Sequence, residues 1–271
     1  MRKTTKNILF FLMFSINALL AQSDKINPAN NMMLISGGVY TPLYGEKNND
    51  LKIKVAPFFI DKYAVTNSQF LKFVKENPKW KRSNAKKLFA DENYLSNWKS
   101  DLELGKNVLP NGPVTNISWF AAKAYCEYYK KRLPSVAEWE LVAKASSNQP
   151  DGSKDQKYIK QILEWYSRPI TEKISPVGSR GKNYWGVYDM HGLIWEWTSD
   201  FFSSLVTGES RGDSGLERNL FCGSGSVNAS DFKNYPAFMR SAFRSSLKAN
   251  YTTSNLGFRC VKDYKEERKT K

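Results

Sequence analysis

The segment Asp189-Met-His-Gly-Leu-Ile-Trp-Glu-Trp-Thr-Ser-Asp200 constrains the fold more than any other part of the chain. It sets two carboxylates, Asp189 and Glu196, around a glycine turn and two tryptophans. Trp195 and Trp197 call for a large buried aromatic anchor beside that turn. Hard cations such as calcium take carboxylate and carbonyl oxygens at close range, so a turn flanked by Asp and Glu suits them. A surface turn with incidental acids satisfies the same spacing. Residue pattern alone leaves both readings open.

With 271 residues the chain is long enough for one large domain or two small ones with a sizeable core. Its 8 Trp, 14 Tyr and 16 Phe favour aromatic packing over long regular helices. The element pattern agrees. Met32–Tyr40 reads as a strand running into a Gly-Gly turn, and Phe58–Tyr63 as another strand. Thr66 or Asn67 caps a short helix that carries Phe70, Phe73 and Val74 on one face. Residues 77–112 lack a period and read as a long irregular insertion closed by Asn111-Gly112-Pro113. Ser118 caps the next helix, with Ala122, Tyr125, Cys126 and Tyr129 inward. Ser135-Val-Ala-Glu138 is a capping box opening a helix through about Lys144. A short helix is expected near 155–166, with short strands near 238–244 and 257–261.

Residues 1–21 read as a secretory signal: Arg2, Lys3 and Lys6, an apolar run from Ile8 to Leu20, and small Ala21 at the cut. The apolar run is broken by Ser15 and Asn17 and is too short to span a bilayer, although a retained anchor is the competing reading. No cysteine follows the run, and no second apolar stretch of spanning length follows it. The expectation is a periplasmic or secreted chain with a loose segment 22–31, one domain over 32–263 and a charged tail 264–271. The formal charge of +15 falls to +12 without residues 1–21. In an exported protein such a charge would suit anionic surfaces or an acidic protein partner rather than nucleic acid, although the scatter of the basic residues reads first as a solvated face. Export allows a disulfide, and the three cysteines, Cys126, Cys222 and Cys260, leave one thiol over.

Several segments together resemble the sulfatase-modifying-factor, or formylglycine-generating-enzyme-like, family. They are Ile35-Ser-Gly-Gly38, Ile60–Asn67, Pro113–Trp119, Ala124-Tyr-Cys126, Lys131–Glu140, the Asp189–Asp200 segment and Asn255-Leu-Gly-Phe-Arg-Cys260. A narrower likeness is to the nitrite-reductase-associated branch called NirV, carried by Phe73–Trp80, Ile162–Pro169, Gly192–Trp195, Phe221–Gly225 and Tyr235–Arg240. The resemblance implies an α+β fold: one irregular, C-type-lectin-related mixed α/β domain with little regular secondary structure.

It also implies a chemistry that this chain departs from. Formylglycine-generating members bind copper(I) through two cysteines five apart, after a turn resembling Cys222-Gly223-Ser224-Gly225, and oxidise a substrate cysteine. Counting forward puts Val227 and Phe232 at those positions, and 223–259 holds no cysteine. Copper(I) needs soft thiolates, so copper chemistry at the usual site is expected to be absent. The sulfoxide-synthase branch uses three histidines on iron; this chain has His191 alone, which reads as a turn residue.

The calcium motif carries over better. The resemblance implies ligation by the Asp189 side chain, the Gly192 and Ile194 carbonyls and the Glu196 side chain, with Leu193 in place of the usual non-ligating Asn. Magnesium, which demands tighter geometry, suits it less. A second family calcium loop falls on Ser146–Lys157 and lacks its signal. Cys126 and Cys260 match positions that pair in the family, and their disulfide would contribute on the order of 4–5 kcal/mol.

Cys222 is then spare, either a packing cysteine or a redox or metal thiol beside the family's substrate groove. The leading expectation is an exported accessory module binding a protein or peptide partner, with copper nitrite reductase as the candidate. The competing expectations are an enzyme using Cys222 with Arg240, Arg244 or Ser245, and a structural or secretion component.

Overall fold

The computed structural model describes residues 31–42, 52–168, 173–201 and 235–265. The expected signal (1–21), most of the loose segment, Cys222 with its turn, and 266–271 of the tail lie outside them.

The chain folds as an irregular mixed α/β domain. Among the described residues the largest sheet has three strands in the order β1 (Met32–Ile35), β4 (Phe58–Asp61) and β9 (Val261–Asp263), all antiparallel. Ile60 faces Met33 on one side and Val261 on the other, so the two ends of the domain close on one central strand. The expected strand Met32–Tyr40 divides, because Gly37 turns the chain at φ +79° into β2 (Gly38–Tyr40), which pairs with β3 (Ile53–Val55). A Cβ at Gly37 would stand 2.4 Å from the Val55 carbonyl oxygen, so only glycine fits.

Helix α1 (Asn67–Glu76) starts at Thr66, whose hydroxyl accepts from the Gln69 amide while the Gln69 side chain accepts from the Thr66 amide. Asn67, the alternative cap, instead donates its side-chain amide to the carbonyls of Leu109, Gly112 and Pro113, tying down the end of the 77–112 insertion. That insertion is a core contributor as well as a loop. It carries β5 (Trp98–Ser100) and β6 (Glu103–Leu104) and sends Trp80, Tyr94, Leu95 and Trp98 inward. They join Phe70, Phe73, Val74, Tyr125 and Phe258 in an aromatic core, where Tyr125 meets Phe70 at 5.8 Å and Phe258 at 5.2 Å. Truncating a ring such as Phe70 to Ala there costs about 3–5 kcal/mol.

Helix α2 (Trp119–Tyr128) is capped by Ser118 and buries Ala122, Tyr125 and Cys126; Tyr129 follows it, half-buried. Cys126 is bonded to Cys260, and both are fully buried. Helix α3 (Val136–Ala143) opens with the Ser135/Glu138 capping box and packs Trp139 and Val142 on a second core with Ile35, Phe58 and Val187. Helix α4 (Gln156–Tyr166) is capped by Asp155.

The expected strand at 238–244 is a helix, α5 (Tyr235–Ser245). Its aromatic content reads as strand-like, yet helical spacing brings Arg240 and Arg244 onto one face toward a common carboxylate, Glu140. Near 257–261 the structure has two strands: β8 (Leu256–Gly257), parallel to β7 (Trp195–Glu196), and then β9. Among the described residues no helix is long and apolar enough to cross a membrane.

Candidate functional site

The 189–200 turn is held from three sides. Asp189 adopts φ +58°, a left-handed conformation that Asp tolerates better than most residues, and Gly192 turns at φ +99°. The Asp189 carboxylate accepts from the amide of Gly178 and, at 2.8 Å, from that of Arg180. Arg180 then returns its Nε to the Gly192 carbonyl at 2.8 Å, clamping the turn. Burial pushes the Asp189 carboxyl up from its ordinary value, against the two amides that favour its charge.

On the far side of the turn, Glu196 is fixed by Arg259. Nε lies 2.8 Å from Oε2 and Nη2 lies 2.7 Å from Oε1, in a fork between side chains only 0% and 1% exposed. Trp139 Nε1 donates to the same carboxylate at 2.8 Å. Arg259 also donates to the carbonyls of Tyr188 and Asp61. Burial alone would push the guanidinium down; Glu196 outweighs it and holds Arg259 above its ordinary value.

These partners decide the fit of the calcium ligand set. Three of its four donors, Asp189, Gly192 and Glu196, already accept N–H groups, and two of those donors are guanidiniums. A divalent ion on these oxygens would sit beside two fixed positive charges, and calcium needs six to eight oxygens. As folded, the expected ligand set of Asp189, Gly192, Ile194 and Glu196 offers calcium oxygens that are mostly already engaged by N–H groups, a poor fit for that ion. Among the described residues no group of three or more His, Cys, Asp or Glu is placed to hold a metal.

Behind the turn lies a second buried ion cluster. Glu140 accepts a bidentate fork from Arg240, at 2.9 and 2.7 Å, and a bond from Arg244 at 2.6 Å. Burial alone would raise Glu140, but the two guanidiniums hold it at about 2. Both guanidiniums lie over the Trp139 ring, and Arg240 also donates to the Tyr166 hydroxyl at 3.1 Å. Arg240 and Arg244, expected to line a groove, are therefore buried structural cations. Ser245 is half-buried and donates to the Ala242 carbonyl. Cys222, the thiol these three were expected to serve, lies outside the described residues.

His191 is packed among Trp139, Tyr158, Trp165 and Tyr166, with Nε2 2.9 Å from the Ala143 carbonyl. Burial, aided by Arg240, pushes its pKa down to about 3, so it is a neutral ring within this aromatic cluster.

Over this base opens a cleft of about 640 Å³. Trp165, Tyr166 and Trp195 form its aromatic wall, and exposed Arg168, Lys173 and Arg180 its basic rim. Trp195 stacks on Tyr166 at 5.0 Å and on Phe243 at 4.4 Å. Its volume falls in the range of small-ligand and peptide sites. Sequence reading missed this cleft and Arg259. The cleft joins α4, the 173–180 segment and β7, which no local pattern connects. Arg259 had a signal: an arginine set between core residues Phe258 and Cys260.

The model of the sulfatase-modifying factor enzyme 1-like domain matches residues 17–264. The chain is 30% identical over 292 residues to the formylglycine-generating enzyme of Bos taurus, covering 88% of this chain and 76% of that one. It is 27% identical over 259 residues to the serine/threonine-protein kinase pkn1 of Chlamydia caviae, covering 90% of this chain and 40% of the kinase. Among solved structures it is similar to PvdO from Pseudomonas aeruginosa, at 17% identity and a TM-score of 0.48, covering 86% of this chain and 94% of that one. The chain belongs to the formylglycine-generating-enzyme-like, sulfatase-modifying-factor family.

Proposed function

We propose that this chain is an exported accessory module that binds a protein or peptide partner and does not perform copper-dependent cysteine oxidation. The carrying observation is cysteine arithmetic. The chain has three cysteines, and Cys126 and Cys260 are bonded to each other inside the core. Cys222 alone remains, and a two-thiolate copper(I) site needs a pair. The cleft beside the Asp189–Asp200 turn supports the binding role: it offers rigid aromatic rings and cations with no metal-ligand cluster among the described residues. Copper nitrite reductase is the proposed partner on the sequence likeness to the NirV branch, and export rests on the residue 1–21 pattern.

The test is a copper(I) titration against a competing chelator, beside surface plasmon resonance with copper nitrite reductase. The expected result is no tight copper site and saturable binding to the reductase. A stoichiometric thiolate-bound copper(I) ion would refute the first half, and absence of any binding to the reductase the second.

A further inference from the structure

We infer that the cleft takes an acidic peptide segment carrying an aromatic side chain, an inference that rests on the binding-module reading above. Among the described residues that line it are three cations, Arg168, Lys173 and Arg180, and no Asp or Glu. A ligand bearing carboxylates is drawn to that rim and a basic one is repelled. Arg180 spends Nε on Gly192, and its two terminal nitrogens have no partner among the described residues. That leaves a planar fork matched to a carboxylate.

The charge continues beneath the floor. Arg240 and Arg244 share the single carboxylate of Glu140, so the buried cluster carries one more guanidinium than carboxylate, and Tyr166 links it to the cleft wall.

The wall itself selects for a ring. Trp165 lies 6.2 Å from Trp195, and Trp195 is fixed by its stacks on Tyr166 and Phe243. Such a preformed surface binds an aromatic side chain with little ordering of its own. A polyphosphate or sulfated glycan calls for a longer cationic stripe and would leave this wall unused. A cleft of about 640 Å³ accommodates a few residues of extended peptide.

The experiment is a fluorescence-anisotropy titration of the full chain with three end-labelled pentapeptides. They are Asp-Glu-Tyr-Asp-Glu, its Tyr-to-Ala analogue, and Lys-Arg-Tyr-Lys-Arg. The acidic tyrosine peptide is expected to bind, its alanine analogue about tenfold more weakly, and the basic peptide not at all. Arg168→Gln and Lys173→Gln, both at exposed positions, are each expected to weaken binding roughly two- to fivefold, and added salt to weaken it further. Equal binding of the basic peptide overturns the acidic class while leaving a peptide-binding module intact. No binding of any peptide overturns the inference, and the module reading then stands or falls on the reductase measurement. Binding unchanged in an Arg168→Gln/Lys173→Gln double variant that melts like the parent also overturns it, as does stronger binding of inorganic polyphosphate at the same cleft.

Discussion

Replacing Glu196 with glutamine tests what holds the turn together. The substitution keeps shape and an acceptor for Trp139, but removes the charge that balances Arg259. The lost contacts are the fork at 2.8 and 2.7 Å between side chains that solvent does not reach. Arg259 would keep the carbonyls of Tyr188 and Asp61 and the more distant charges of Asp189 and Asp61. Breaking a buried ion pair by neutralising one partner costs about 3–5 kcal/mol, a large share of the 5–15 kcal/mol that stabilises a typical domain. At roughly 2–4 °C per kcal/mol for a chain of this size, the melting temperature should fall on the order of 10 °C. The assay is thermal unfolding followed by circular dichroism, for both proteins, with and without a calcium chelator. Chelator is expected to leave the parent unchanged, because Arg259 and Arg180 already engage Glu196 and the Gly192 carbonyl. A drop under about 1 kcal/mol in Glu196→Gln, or a chelator effect on the parent as large as the mutation's, would refute the reasoning.

Two further expectations concern stability. His191 is the only histidine, and its pKa is pushed down to about 3 from 6.5. The unfolded chain takes up that proton near 6.5 and the folded chain does not, so stability is lost as pH falls below 6.5. Between pH 6.5 and 4.5 the parent should lose about 2–3 kcal/mol relative to His191→Gln, measured by urea unfolding; parallel pH profiles would contradict it. The Cys126–Cys260 bond spans a sequence separation of 134, so the Cys126→Ala/Cys260→Ala protein should be destabilised by about 5 kcal/mol in the same assay. Loss of less than about 1 kcal/mol would contradict that estimate.

Local chemistry was legible in the sequence, and long-range pairing much less so. Ser118 and the Ser135/Glu138 box mark their helices correctly because a cap is satisfied within three residues. The family motifs carried the fold class and the cysteine pairing. Helix α5 was misread because its reason for being helical, Glu140, lies 100 residues away from Arg240. The partners of the turn around Asp189, Arg180 and Arg259, were not legible because they are separate from it in sequence. The burial of Arg240 and Arg244 on Glu140 was hidden for the same reason.

The most direct test incubates the purified chain with copper(I), oxygen and a cysteine-containing peptide, then follows the peptide by mass spectrometry. With Cys126 and Cys260 bonded and Cys222 the one cysteine left, the peptide should be recovered without a cysteine-derived aldehyde. An aldehyde that accumulates with time in the parent and vanishes in Cys222→Ser would contradict the reading of this chain as a binding module.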